Sequence, residues 1–358
     1  MPLLFLLLLL FSPSTAHADP PGSWGGLFSR HGSAGVWIPE NGALTVEAAL
    51  SFSSDSEFSY LGTNKGLFRR KGAGEWVKLE HVPGSMPFSL LPAGNDLYIA
   101  TEEGVSLSSD RGNSWTLLRE GIFFSLVSDG KRVAAGGKDG VFITGDRGRT
   151  WIPAKGIPPG DVRSMASGPN GIYAVLSGSL YQSTDGYEFS RVEINREKKL
   201  QAYCVYYSTP VKKLYLATDE GLMTSEYGTN WTRTRKHKDI YYFSPVISMA
   251  VNPLNPGIIH IASEDAFIVS RDGGENWEAD AEGLPSHRPV NLVVFPDAVT
   301  DKVYALSSTM PYQFITEQAM KRIDTKKVLV MTAGFIGALV IVAAVSFKFV
   351  KKHYKRGE

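Results

Sequence analysis

Two sets of charged residues stand out by type and spacing. Tandem acids recur as Glu102 and Glu103, Asp219 and Glu220, and Glu264 and Asp265, while Asp139 follows a lysine in an equivalent place. Carboxylates facing each other across a sugar ring can do general acid–base work. A circuit of them can instead gather cations or a basic partner, and solvated turn residues are the plainer reading. The second set is basic: Arg196, Lys198 and Lys199 in one stretch, then Arg233, Arg235, Lys236, His237 and Lys238, running on to Tyr241 and Tyr242. Cations beside aromatics hold an anionic glycan, a lipid head group or an acidic protein patch. A long solvated loop accounts for the same residues. No residue earns a catalytic role from its spacing alone.

Other chemistry is thinly represented. The chain has 7 histidines, without an HExxH pattern or a pair at a ligand interval, so neither metal nor cofactor is expected. Its single cysteine, Cys204, rules out an intramolecular disulfide framework and lies in an apolar run, as a buried small hydrophobe would. The formal net charge is +1, so bulk electrostatics do not point to nucleic acid.

The elements that must carry these residues announce themselves as a repeat. Ser108, Asp110, Gly112 and Trp115 form one copy of a block; Thr144, Asp146, Gly148 and Trp151 form a second; Ser270, Asp272, Gly274 and Trp277 a third. A further copy has Thr224 and Glu226 ahead of Gly228 and Trp231, and a shortened one has Asp185 ahead of Phe189. The stretch ending at Trp76 has lost both Ser and Asp. From Trp76 to Trp277 the aromatic recurs every 36 to 46 residues, the size of a four-stranded unit. Asp can accept backbone N–H groups across a tight turn, Gly permits the required backbone angle, and the aromatic packs between hairpins. Each block therefore reads as a structural staple.

The flanking strands repeat too. One series runs AALSF, FSLL, FSLV, VRSMA, AYCVY, VISMA, VNLVVF; a second runs YLGT, LYIAT, VAAGG, IYAVL, LYLAT, IHIAS, VYALS. The seventh pair has no block after it. Its missing half lies at the other end, where residues 26–37 match 66–76. The expected fold is all-β: a seven-bladed β-propeller of four-stranded blades, closed by N- and C-terminal strands sharing one blade, which removes exposed edges. Alternating strand direction puts the blocks on one face. The acidic turns and the basic blade-to-blade connections belong to the other.

The block S/T-x-D-x-G-x-T/S-W resembles the Asp-box, or BNR, repeat, and the resemblance covers residues 52–308. It implies a fold more firmly than an activity. Sialidases of this kind need an arginine triad and an early Arg-Ile-Pro; here Trp37-Ile38-Pro39 lacks the arginine, and Arg163 and Arg288 are not marked as a triad. Xyloglucan-cleaving relatives use two propellers and sortilin-like receptors add cysteine-rich modules. A single cysteine-poor propeller is most similar to the photosystem II assembly and stability factor-like group, which implies a non-catalytic platform for a protein partner.

The two ends complete the expected organisation. Residues 1–18 read as a signal peptide, with a short apolar run and Ala16-His17-Ala18 at its end. Residues 19–308 form the propeller, 309–327 a juxtamembrane linker, 328–347 a transmembrane helix and 348–358 a basic cytoplasmic tail. The uncharged 328–347 stretch covers about 30 Å as a helix, one bilayer core. The expected function is a membrane-anchored extracytoplasmic platform for a membrane-associated protein or an anionic glycan. A glycan-binding protein or sialidase-like glycoside hydrolase is the competing expectation.

Overall fold

The computed structural model describes residues 26–32, 35–42, 44, 48–194, 199–234, 245–264, 266–285, 290–296 and 300–308. The signal, linker, apolar and tail segments at the two ends lie outside them. Among the described residues no helix is long and apolar enough to cross a membrane.

Seven four-stranded antiparallel sheets follow one another around a ring. Blade one comprises Ala49–Ser54, Phe58–Thr63, Gly66–Lys71 and Val77–Lys78; blade two Ser89–Ala93, Asp96–Ala100, Gly104–Ser108 and Thr116–Glu120. Blade three comprises Phe123–Ser128, Val133–Gly137, Gly140–Thr144 and Ile152–Pro153; blade four Ser164–Gly168, Gly171–Leu176, Ser179–Ser183 and Ser190–Arg191. Blade five comprises Ala202–Ser208, Lys213–Thr218, Gly221–Ser225 and Thr232–Arg233; blade six Val246–Val251, Ile259–Ser263, Phe267–Ser270 and Glu278–Ala279. Blade seven joins Val290–Val294 and Lys302–Ser307 to Gly26–His31 and Ile38–Pro39. Its two halves pair antiparallel from Gly26 opposite Ser307 to His31 opposite Lys302. The ring closes as the sequence repeat implies.

Burial follows strand position. Second strands such as Val133–Gly137 and Ile259–Ser263 are buried along their whole length, because both faces meet a neighbouring blade. The short fourth strands at the rim are mostly exposed. The core is divided into inter-blade seams: Tyr60, Leu67, Leu97 and Ile99 fill the seam of blades one and two, and Leu214, Leu216 and Tyr173 that of four and five. Spacing in these seams is tight. A methyl group added at Gly136 would sit 2.6 Å from Met165 Sδ, so the glycine lets blades three and four approach.

Each block aromatic belongs to the seam with the preceding blade. Trp115 packs against the seam of blades one and two, Trp151 against that of two and three, and Phe189 sits within that of three and four. Trp231 and Trp277 do the same for the next two seams. The turn ahead of the aromatic is hydrogen-bonded as its residue types demand. Asp110 accepts from the Asn113 and Ser114 N–H groups at 3.0 and 2.8 Å, while Ser108 Oγ donates to Asp110 and accepts from Gly112 N at 2.6 Å. Asp146 and Asp272 repeat the arrangement, with Gly148 N and Gly274 N each 2.8 Å from the hydroxyl. The blade-five copy differs by one residue: Ser225, not Thr224, accepts from Gly228 N at 2.8 Å. Its turn is one residue tighter than the aligned sequence suggests.

Candidate functional site

A serine column stitches the inner strands around the channel. Ser51 Oγ donates to Pro87 O of the next blade at 2.6 Å, Ser89 Oγ accepts from Leu126 N at 3.1 Å, and Ser164 Oγ accepts from Val205 N at 2.9 Å. Ser248 repeats this toward Val293 at 3.2 Å. No ladder pairs the inner strands of neighbouring blades, and these side-chain bonds tie blades one to two, two to three, four to five and six to seven. Cys204 occupies the same column in blade five, buried, with Ser164 Oγ 3.6 Å from its sulfur. Burial pushes its thiol up to about 11.

The residue before this column lines one channel cavity in every blade: Leu50, Phe88, Phe124, Arg163, Tyr203, Ile247 and Asn291, with Leu50, Phe88, Phe124 and Asn291 buried. In blades one, three, five, six and seven the ladder shifts register here. A bulge of this kind turns one side chain out of the sheet's alternation, and the position it frees lines a cavity of about 730 Å³. The seven residues make an unequal ring. Leu50, Phe88 and Phe124 form an apolar arc with Met86, the two phenyl rings 5.6 Å apart. Blades four to seven present Arg163, Gln201, Tyr203, Glu264 and Asn291.

Charges in the polar arc are placed. The Arg163 guanidinium lies 4.7 Å from the Phe124 ring centre and donates to Asp161 at 3.1 Å, so it bridges the two arcs. The Tyr203 phenol is pushed up chiefly by burial, then by the Asp219 and Glu264 charges near it. The mouth thus offers an apolar wall, a guanidinium and a phenol flanked by acids. It can take a segment with an apolar side chain and mixed polar groups.

The acidic circuit lies on this mouth face, since it follows the second strands. Much of it is used internally. The Glu102 carboxylate accepts from Ser85 N and Oγ at 2.7 and 2.6 Å and from Met86 N at 2.9 Å. Asp219 accepts from Gln201 N at 2.9 Å. Both hold the incoming connection against its own blade. Glu103 and Asp139 are exposed, Glu264 lines the cavity, and Asp265 lies outside the described residues.

Of the basic set, Lys199 is exposed and Arg233 ends the fourth strand of blade five. Arg233 pairs with Glu220 at 3.2 Å, joining one member of each charged set. Arg196, Lys198, Arg235, Lys236, His237, Lys238, Tyr241 and Tyr242 lie outside the described residues. Sequence reasoning missed the mouth ring itself, having read these strands only as one repeated series along the blades. The signal was present: an arginine stands alone in a column otherwise holding Leu, Phe, Phe, Tyr, Ile and Asn. Among the described residues no group of His, Cys, Asp and Glu is arranged to hold a metal ion.

No protein-family model matches the sequence, and no curated protein matches it either. Solved structures do. The chain is similar to YCF48 bound to a D1 peptide, at 18% identity and TM-score 0.57 over 75% of this chain and 94% of that one. It is similar to YCF48 from Cyanidioschyzon merolae, at 11% identity and TM-score 0.55 over 74% and 97%. It also matches a GH74 enzyme from Niastella koreensis, at 18% identity and TM-score 0.57, covering 79% of this chain and 52% of the enzyme. At these identities the likeness is one of fold, and the fold it shows is the propeller.

Proposed function

We propose that this chain is a non-catalytic binding platform, an Asp-box propeller held outside the cytoplasm at a membrane, whose channel mouth receives a polypeptide segment of a partner. The observation that carries this is the mouth ring, bulged in five of its seven blades, which brings Leu50, Phe88 and Phe124 together with Arg163 and Tyr203 around one cavity. Apolar arcs next to a few placed polar groups are how peptide segments are oriented in a groove. The YCF48 structure with a D1 peptide supports a peptide partner, since a propeller of similar fold is bound to a peptide in it. On the blade-to-blade connections expected on this face, the basic residues Arg196 to Lys199 and Arg233 to Lys238 would favour an acidic partner or glycan. The signal-peptide pattern of residues 1–18 and the uncharged 328–347 stretch support this location. The test is photo-crosslinking of the full-length protein in its native membrane from Gln201, at the mouth, and Arg149, on the opposite face. Adducts from position 201 that disappear in Arg163→Glu support the reading; adducts from position 149 alone oppose it.

A second reading has one observation in its favour: Asp161 and Glu264 line the same cavity, and carboxylates so placed can serve a glycosidase. Asp161 is engaged by Arg163, which suits sugar binding better than proton donation. Release of product from sialosides or xyloglucan, lost in Glu264→Gln, would favour it.

A further inference from the structure

We infer that the propeller presents its channel mouth, and not the face bearing the Asp-containing turns, to the membrane, so that a partner segment enters from the bilayer side. The inference rests on the membrane-anchored reading above and adds an orientation to it.

The geometry of ring closure carries the argument. Blade seven is built from both ends of the described chain, and the two leave it at one point. Gly26 opens the third strand opposite Ser307, which closes the second. Val290, the start of the innermost strand, is also opposite Ser307, and that innermost strand begins at the mouth. Ser308 is fixed there on two sides: it bridges to Ala48 of blade one, and Asn291, a member of the mouth ring, donates to its Oγ at 2.8 Å. The described residues that open and close blade seven, Gly26 and Ser308, therefore both lie on the mouth face.

The apolar stretch at 328–347 follows the Ser308 exit in the chain. An unconstrained chain of the length of residues 309–327 has an end-to-end distance of roughly 25 Å and a fully extended reach of at most about 65 Å, so a short path is favoured over a long one. To place the opposite face toward the bilayer it would have to cross the outer strands, roughly 10 Å, and then descend a strand length of roughly 20 Å before reaching lipid at all. The mouth-down arrangement needs none of this detour.

The experiment uses the full chain reconstituted in vesicles containing nitroxide-headgroup phosphatidylcholine. A bimane fluorophore is attached at Glu103→Cys or Lys138→Cys on the mouth face, and at Arg149→Cys or Glu275→Cys on the other; all four positions are exposed. Unlabelled parent protein controls for Cys204. Quenching at 103 and 138 at least threefold stronger than at 149 and 275 is the expected result. Equal or reversed quenching in protein that resists carbonate extraction overturns the orientation and leaves the anchor standing. Protein that washes off the vesicles overturns the anchored reading and this orientation with it.

Discussion

Arg30 donates two hydrogen bonds to the carboxylate of Asp280, at 2.5 and 2.8 Å, across 250 residues of sequence. Arg30 belongs to blade seven and Asp280 follows the last strand of blade six. The guanidinium also lies 4.6 Å from the Trp37 ring centre, and Trp37 Nε1 donates to Asp280 O at 3.1 Å. The next seam repeats the device: Arg70 of blade one donates to Glu40 of blade seven at 2.9 Å, stacks 4.6 Å from Trp76, and Trp76 Nε1 donates to Glu40 O. Arg30 and Arg70 stand where the other blades carry the turn hydroxyl. Where the block lost its Ser and Asp, a buried arginine–carboxylate clasp took over, and the two clasps bolt the closing blade to both neighbours.

Removing one partner of the blade-six clasp should be costly. Asp280→Ala leaves the buried Arg30 charge uncompensated, and about 3–5 kcal/mol of stability should be lost. Arg30→Met with Asp280→Leu should recover most of it, because neither charge is then stranded. Urea denaturation of the 19–308 domain measures both.

Glu40 predicts a specific acid sensitivity. Burial alone would raise its carboxyl, but hydrogen bonds from Lys302, Ser29 and Arg70 outweigh this and hold it at about 2, below the ordinary 4.5. The unfolded chain therefore binds the proton more readily than the folded one. The stabilisation is fully present above about pH 4.5 and drains as the pH falls toward 2. In Glu40→Gln, melting temperature should be lower at neutral pH and should fall less steeply over that acid window. Thermal scans from pH 7 to 2.5 compare the slopes.

The tight turns should reject a methyl group for two separable reasons. Gly148 has φ +88°, and an added Cβ would sit 2.2 Å from Leu118 Cδ1 in the preceding blade. Gly148→Ala should cost more than about 1 kcal/mol. Adding Leu118→Ala opens the space but leaves the left-handed backbone, so the double variant should show a smaller cost than the two single losses combined. A double-mutant cycle by denaturation decides it.

Cys204 should be inert while the protein is folded. Its burial and raised thiol predict no reaction with a disulfide reagent at pH 8, and stoichiometric reaction once urea unfolds the chain. Rapid labelling of native protein would contradict the inner-strand placement.

Arg163 separates binding from folding. It is half-buried at the mouth, and Arg163→Glu should change stability by less than about 1 kcal/mol, as a partly exposed pair does. Recovery of the crosslinked partner should fall at least tenfold. Parallel denaturation and crosslinking of the same variant distinguish the two effects.

The sequence by itself determined the blade count, the strand order and the shared closing blade, because those follow from local periodicity and turn chemistry repeated every 36 to 46 residues. It also determined which face carries the acidic turns, since strand direction alternates without exception within a blade. Tertiary structure alone decided what those residues do. Glu102 and Asp219 spend their carboxylates on backbone N–H groups of neighbouring segments, and no spacing along the chain reveals that. The mouth ring is of the same kind. In five blades a bulge turns a residue that alternation would send into a seam toward the channel, and ladder register is what shows it. The clasps needed closure as well, for Arg30 and Asp280 meet only when blade seven is assembled from both ends of the chain.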